Sequence, residues 1–386
     1  MPSKSRLDHL DMLRGFAAFL VLAEHVRAYT FQSYAELSQA GVQTGVFVKA
    51  FYFSTGLGHQ AVIIFFALSG FLVGGKAFSE ILNRRFIWSR YIARRLTRLW
   101  IVIIPILILT LLLDTIGLKL TSGEGCDGSY YNIYFFCPNT LIENYHSLLI
   151  FFGNLAFLQT IYVPIFGSNV PMWSLANEFW YYIVFPLATW LGLARISVIS
   201  RTLGIFILLF LLIALPRWLL EVGVIWVAGA VAAWCTQRQA FANFTRSTFM
   251  RLGAATLLIS ALILSRAPTI ELGDLALGLA VALVLPVLAN LPSLGGTYAT
   301  LARASSEISY TLYLTHFPFL TLIVVTGFAP VRLPPSMAVA GLYTALILSA
   351  IIWAAVLWWC FERNTDRVYS WIASKLPVYR ISTSEK

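Results

Sequence analysis

Apolar runs of about twenty residues recur along the whole 386-residue chain, and few charges interrupt them. At 59% apolar and only 11% charged, the chain does not have the composition of a soluble domain of this length. A β-barrel would instead show short alternating segments. The pattern predicts an all-α, polytopic membrane protein with about ten transmembrane helices in a single membrane-embedded domain. The expected spans are 12–30, 60–78, 99–118, 174–194, 202–217, 219–236, 249–266, 274–291, 307–328 and 337–360. The first run is not a cleaved signal peptide, because Arg14, Glu24, His25 and Arg27 lie within or beside it.

Sidedness follows from the basic residues. With the N-terminus inside, the inner segments collect about twenty Lys and Arg, including Lys76, Arg84, Arg85, Arg90, Arg94, Arg95, Arg98, Arg303 and Arg363. The outer loops hold only five: Lys49, Lys119, Arg217, Arg266 and Arg332. This bias places both termini in the cytoplasm and accounts for the net charge of +10 without any nucleic-acid partner. The apolar stretch 147–163 is long enough to span, but a crossing there would turn the later basic loops outward. It is therefore expected to be re-entrant or to lie along the outer face, with an eleven-span protein as the alternative. Cys126 and Cys137 share the large outer loop and could pair there. Cys235 and Cys360 fall at inner helix ends. The five histidines are scattered, so no metal site is expected.

Ionisable groups inside spans mark candidate sites, because burying them in lipid is costly. Asp11 stands at the edge of the first span, and Arg14 and His25 fall within it. Arg14 and His25 are eleven residues apart, close to three helical turns. Both side chains therefore share a face, roughly 16 Å apart along the axis. Asp11 is within intrahelical ion-pair reach of Arg14. In IIFFALSGFLVGG, residues 63–75, Ser69, Gly70, Gly74 and Gly75 form a small-residue face. That face reads either as close helix packing or as a groove for a thin ligand. Arg90, Arg94, Arg95 and Arg98 recur at helical spacing, and their guanidinium forks suit phosphate oxygens or anionic lipid headgroups. Glu178 lies several residues inside the fourth span, while Trp173, Trp180, Tyr181 and Tyr182 around it read as an interfacial aromatic belt. In the ninth span Tyr310, Tyr313 and His316 share a polar stripe. His316 is either a second acid/base group or a satisfied histidine of the bundle. Glu362, at the inner end of the last span, is placed to neutralise a loop arginine.

These pieces, in this order, resemble the membrane acyltransferase 3 family. Arg14, ten residues and then His25 are similar to its first span. IIFFALSGFL is similar to its Phe-Phe-x-x-Ser-Gly stretch, and Arg95 to Arg98 to its Arg-x-x-Arg. WSLANEFWYYIVFP resembles its Trp-Ser-Leu-x-x-Glu stretch, and SYTLYLTHFPF its late Ser-Tyr-x-x-Tyr-Leu-x-His-x-Pro. FERNTD departs from the family's Glu-x-Pro near the end. The resemblance implies transfer of an acyl group, acetyl above all, from cytoplasmic acyl-CoA to a hydroxyl of a glycan or lipid-linked sugar. It also implies a location in a bacterial inner membrane. It casts His25 as catalytic base and Arg14 as a second essential residue. Arg95 and Arg98 become phosphate contacts. The pantetheine arm is expected along the face of Ser69 and Gly70. Glu178 would orient the imidazole or the acceptor, and Tyr313 and Ser69 are candidate oxyanion donors. On the residues alone, a proton-coupled transporter or flippase with Arg14, His25 and Glu178 as a relay is the alternative.

Overall fold

The computed structural model describes residues 7–121, 145–238, 241, 243, 245–266, 273–327 and 332–376. Cys126 and Cys137 lie outside them. Among the described residues, ten helices of at least seventeen residues correspond one to one with the expected spans. The first two are α1 (Asp8–Thr30) and α2, which runs Gly58–Ser69, passes through a π-helical turn at Gly70–Gly74 and continues Gly75–Leu82. α3 is Trp88–Leu120, α4 Trp173–Leu193, α5 Val198–Ala214, α6 Arg217–Thr236 and α7 Thr248–Leu264. α8 is Gly273–Ala289, α9 Gly296–Gly327 and α10 Met337–Cys360, followed by a tail helix, α11, at Thr365–Lys375. Among the described residues five helical stretches, Val46–Leu82, Trp88–Leu120, Arg217–Thr236, Gly296–Gly327 and Met337–Lys375, are long and apolar enough to cross a membrane by length and composition alone. Serines cap three of the starts: Ser197, Ser247 and Ser336 accept from backbone N–H groups at Ser200, Met250 and Val339. In lipid such caps matter, because water is not there to satisfy the first turn.

α1 and α9 form the centre of the bundle, and their contacts give the topology independently of charge. Gly15 packs on Ser305, Arg14 bonds Ser306, His25 bonds His316 and Tyr29 bonds Thr321. Residue numbers rise together with a nearly constant offset, so the two helices run parallel. Parallel first and ninth helices require that 147–163 does not cross; as an extra span it would make α9 the tenth crossing and antiparallel to α1.

The segment itself is re-entrant. At its entry His146 Nε2 is 3.0 Å from Asp114 Oδ2, and at its exit the Ser168 N–H and hydroxyl both donate to Asp114. Between these anchors an eight-residue helix, Leu148–Leu155, descends until the Leu155 carbonyl accepts from Trp100 Nε1 at 3.0 Å. Trp100 and Asp114 both lie on α3, fourteen residues and so about 21 Å apart along its axis. Asn154 closes the turn, donating to the Ile150 and Pro164 carbonyls and accepting from the Phe166 N–H. Polar backbone at this depth is tolerated because it is buried in protein.

The small-residue face of α2 is a packing face. A Cβ on Gly70 would sit 1.9 Å from the Trp226 carbonyl oxygen, and one on Gly74 would meet Trp226 and Ala230. Gly75 faces Ala233 in the same way. α6 therefore fills the groove that was expected to carry a thin ligand, and Gly70 does not line it. Gly70→Ala must push the two backbones apart, at a cost of about 1–3 kcal/mol of overpacking. We expect a lower apparent Tm in detergent for Gly70→Ala and an unchanged one for Gly192→Ala, whose Cβ would meet open space.

Candidate active site

The first helical turns of α3 carry the arginines clear of the apolar span. There Arg94, Arg95 and Arg98 line a vestibule of about 540 Å³ together with Asp11, Arg14, Arg303 and Glu362. That residues from the first, third, ninth and last spans meet at one end agrees with the sidedness read from charge. Asp11 and Arg14 do not pair directly. Arg14 Nη1 donates to Ser306 Oγ at 3.4 Å, and that hydroxyl donates to Asp11 Oδ1 at 2.9 Å. Arg98 Nη1 lies 2.7 Å from Glu362 Oε1. The same buried carboxylate accepts from the Thr311 N–H and hydroxyl. The loop arginine that Glu362 neutralises is thus Arg98.

Arg14, Arg95 and Arg98 also line a second, deeper cavity of about 160 Å³. Its walls include Ser69, Ser174, Glu178, Tyr182, Tyr310 and Tyr313. The three guanidiniums therefore stand at the junction between vestibule and bundle interior. Arg95 packs beside the rings of Tyr91 and Tyr182, and its buried Nε has no hydrogen-bond partner among the described residues. A buried donor left so is expensive, and it marks a place where an anionic oxygen would be well received. Three guanidiniums at this junction suit an anionic ligand.

The π-helical turn of α2 follows directly on Ser69, and such bulges concentrate at functional sites. Ser69 Oγ accepts from Trp226 Nε1 at 3.2 Å and donates to Glu178 Oε1 at 2.6 Å. Tyr182 donates to the same oxygen at 2.5 Å. Tyr182 is therefore part of the cavity wall, and Tyr181 is buried with its hydroxyl on the Leu219 carbonyl. Neither belongs to an interfacial belt: Tyr182 is held by Glu178 one turn back on its own helix and lies 3.3 Å from Ser69 Oγ on α2, and Tyr181 is held by a carbonyl of α6. At the outer end of the cavity the Tyr313 hydroxyl donates to the Pro171 carbonyl and lies 2.7 Å from Ser174 Oγ.

Beyond Tyr313, one turn further along α9, lies a histidine pair. His25 Nδ1 is 2.8 Å from His316 Nε2, with the rings stacked 14° from parallel. His316 is fully buried, and its Nδ1 is 2.7 Å from the Leu312 carbonyl. A carbonyl can only accept, so the Nδ1 of His316 carries the hydrogen and, in the neutral ring, its Nε2 is an acceptor. His25 must then donate from Nδ1, which leaves the lone pair on its Nε2. The structure thus brings together Arg14, Arg95, Arg98, Ser69, Glu178 and Tyr313 around one cavity, with His25 and His316 adjacent. His25 donates to His316, whereas Glu178 Oε1 accepts from Ser69 and Tyr182. Ser174, Ser306 and Trp226 belong to this cluster although nothing in the sequence singles them out, and Tyr182, which reads there as part of an aromatic belt, joins them. Only their partners on distant helices distinguish them from ordinary span residues.

A bundle of membrane helices, with a hydrogen-bonded histidine pair inside it and an arginine-lined vestibule at one end, is an integral-membrane protein whose ionisable groups gather around an interior cavity. The chain belongs to the membrane acyltransferase 3 family: the family model described as an acyltransferase domain matches residues 7–359. Comparison with curated proteins and with solved structures found no match.

Proposed function

We propose that this acyltransferase moves an acyl group, acetyl in the simplest case, from cytoplasmic acyl-CoA to a hydroxyl of a cell-surface or periplasmic glycan. A bacterial cytoplasmic membrane would present both. The observation that carries the reading is that Arg14, Arg95 and Arg98 line both the vestibule and the inner cavity. An anionic donor entering from inside is held at the point where its thin arm can pass into the bundle. Arg95 and Arg98 take its phosphates, and Arg14 steers or holds it. The arm then runs past Ser69 and Glu178, along the walls that Tyr182 and Tyr310 complete, rather than along Gly70. The thioester passes Tyr313 to reach the histidine pair.

There His25 Nε2 accepts the proton of the acceptor hydroxyl as its oxygen attacks the thioester carbonyl. The new C–O bond forms, the C–S bond breaks, and the proton passes from His25 to the departing thiolate. His316 holds the imidazole in the productive tautomer, the part an orienting carboxylate has in other general-base sites. A developing oxyanion would draw the Tyr313 hydroxyl away from the Pro171 carbonyl, while Ser69, whose hydrogen lies on Glu178, is the next hydroxyl along the path.

Sealed inside-out vesicles test this reading with radiolabelled acetyl-CoA supplied on the cytoplasmic face. Label should reach a membrane glycan with the wild type and fail to do so with His25→Ala at matched expression. Wild-type vesicles that leave every acyl-CoA intact while moving a solute would favour the transporter reading instead.

A further inference from the structure

Two basic cavities open side by side at the inner face, and one aromatic side chain stands between them. The vestibule and a neighbouring cavity of about 240 Å³ share Arg94, Arg95 and Tyr369. The side cavity adds Lys76, Arg85 and Arg90. Tyr369 projects from α11, with Arg94 Cζ 4.4 Å from its ring centroid. α11 packs on α3, and its start is fixed because Glu362 is buried on Arg98 and Thr311. The family match ends at residue 359, before this helix. The wall thus lies outside the matched segment.

A free phosphate or a lipid headgroup would use the cations and leave the ring idle. A nucleotide uses both, because each base has a π-face that stacks on an aromatic ring or a guanidinium plane. Resting on the acyl-CoA reading above, we infer that α11 is the nucleotide wall of the donor site. The adenine joins the Tyr369–Arg94 stack, and the ribose phosphate lies over the cations of the side cavity. The diphosphate reaches Arg95 and Arg98. The consequence is a choice of donor class: CoA thioesters are preferred over phosphopantetheine thioesters, including those on carrier proteins, which lack the base.

The test compares acetyl-CoA with acetyl-4′-phosphopantetheine in the full-length purified protein. Tyr369→Ala should raise KM for acetyl-CoA about tenfold, the order one base–aromatic stack is worth, with kcat little changed. It should leave KM for acetyl-phosphopantetheine unchanged. Tyr369→Phe keeps the ring and should behave as wild type. Trp371→Ala, an exposed aromatic on the same helix that lines neither cavity, controls for helix integrity and should alter neither donor. Equal losses with both donors would overturn the inference, since they report packing. An unchanged acetyl-CoA KM would overturn it too, while leaving acyl-CoA as donor. Wild type that uses neither thioester would overturn the donor reading and this one with it.

Discussion

His25→Ala should lower acyl transfer by about 10²–10⁴-fold, the range over which a positioned general base contributes. The imidazole is only half-buried, so its removal leaves no large sealed void, and expression and elution from a sizing column should be unchanged. His316 is expected to behave differently. It is fully buried and bonded at both ring nitrogens, so His316→Ala removes the acceptor for His25 Nδ1 and opens a cavity. Activity should fall less than in His25→Ala, and stability should fall more. His316→Gln keeps an amide oxygen able to face His25 and should recover part of the activity. Initial rates and apparent Tm, measured on the same preparations, separate the two histidines. A His25→Ala enzyme retaining a tenth of wild-type activity would remove His25 from the chemistry.

The helices and their order were legible because lipid leaves the backbone no alternative. Each apolar run had to become a helix, and the charge bias decided which ends face inward. The same logic read 147–163 as a segment that turns back, although nothing in its own composition announces the Asp114 anchor that holds both its ends. Side-chain roles were less legible where two environments call for the same residue. Tyr182 and Tyr181 have the composition of an interfacial belt, yet Glu178 and the Leu219 carbonyl claim their hydroxyls inside the bundle. Gly70, Gly74 and Gly75 serve close packing as readily as ligand passage, and the choice was made by Trp226 and Ala233, more than 150 residues away in the chain. His316 could be sorted only by the parallel register of α1 and α9, which delivers it to His25. A period along one helix states which side chains share a face. It does not state what the facing helix brings.

Arg98 and Arg95 should give different answers to the same substitution. Arg98→Ala strips the partner from a Glu362 carboxylate whose side chain is only 1% exposed. Breaking a fully buried pair in this way costs about 3–5 kcal/mol, mostly because the remaining charge is left uncompensated. Arg98 is itself 38% exposed, so water offsets part of that and the loss should fall below this range. Thr311 still donates to the stranded carboxylate, but two neutral donors do not replace a guanidinium. Glu362→Gln in the Arg98→Ala background removes the orphan charge and should restore most of the apparent Tm without restoring donor affinity. Arg95 has aromatic neighbours and, among the described residues, no carboxylate partner, so Arg95→Ala should leave Tm nearly unchanged while raising KM for the donor. Only the double variant then reports what Arg98 does for the donor, because the single one mixes ligand binding with the anchorage of α11. Equal Tm values for Arg98→Ala and Arg95→Ala would show that Glu362 does not depend on Arg98 for its charge, and the tail helix would need another anchor.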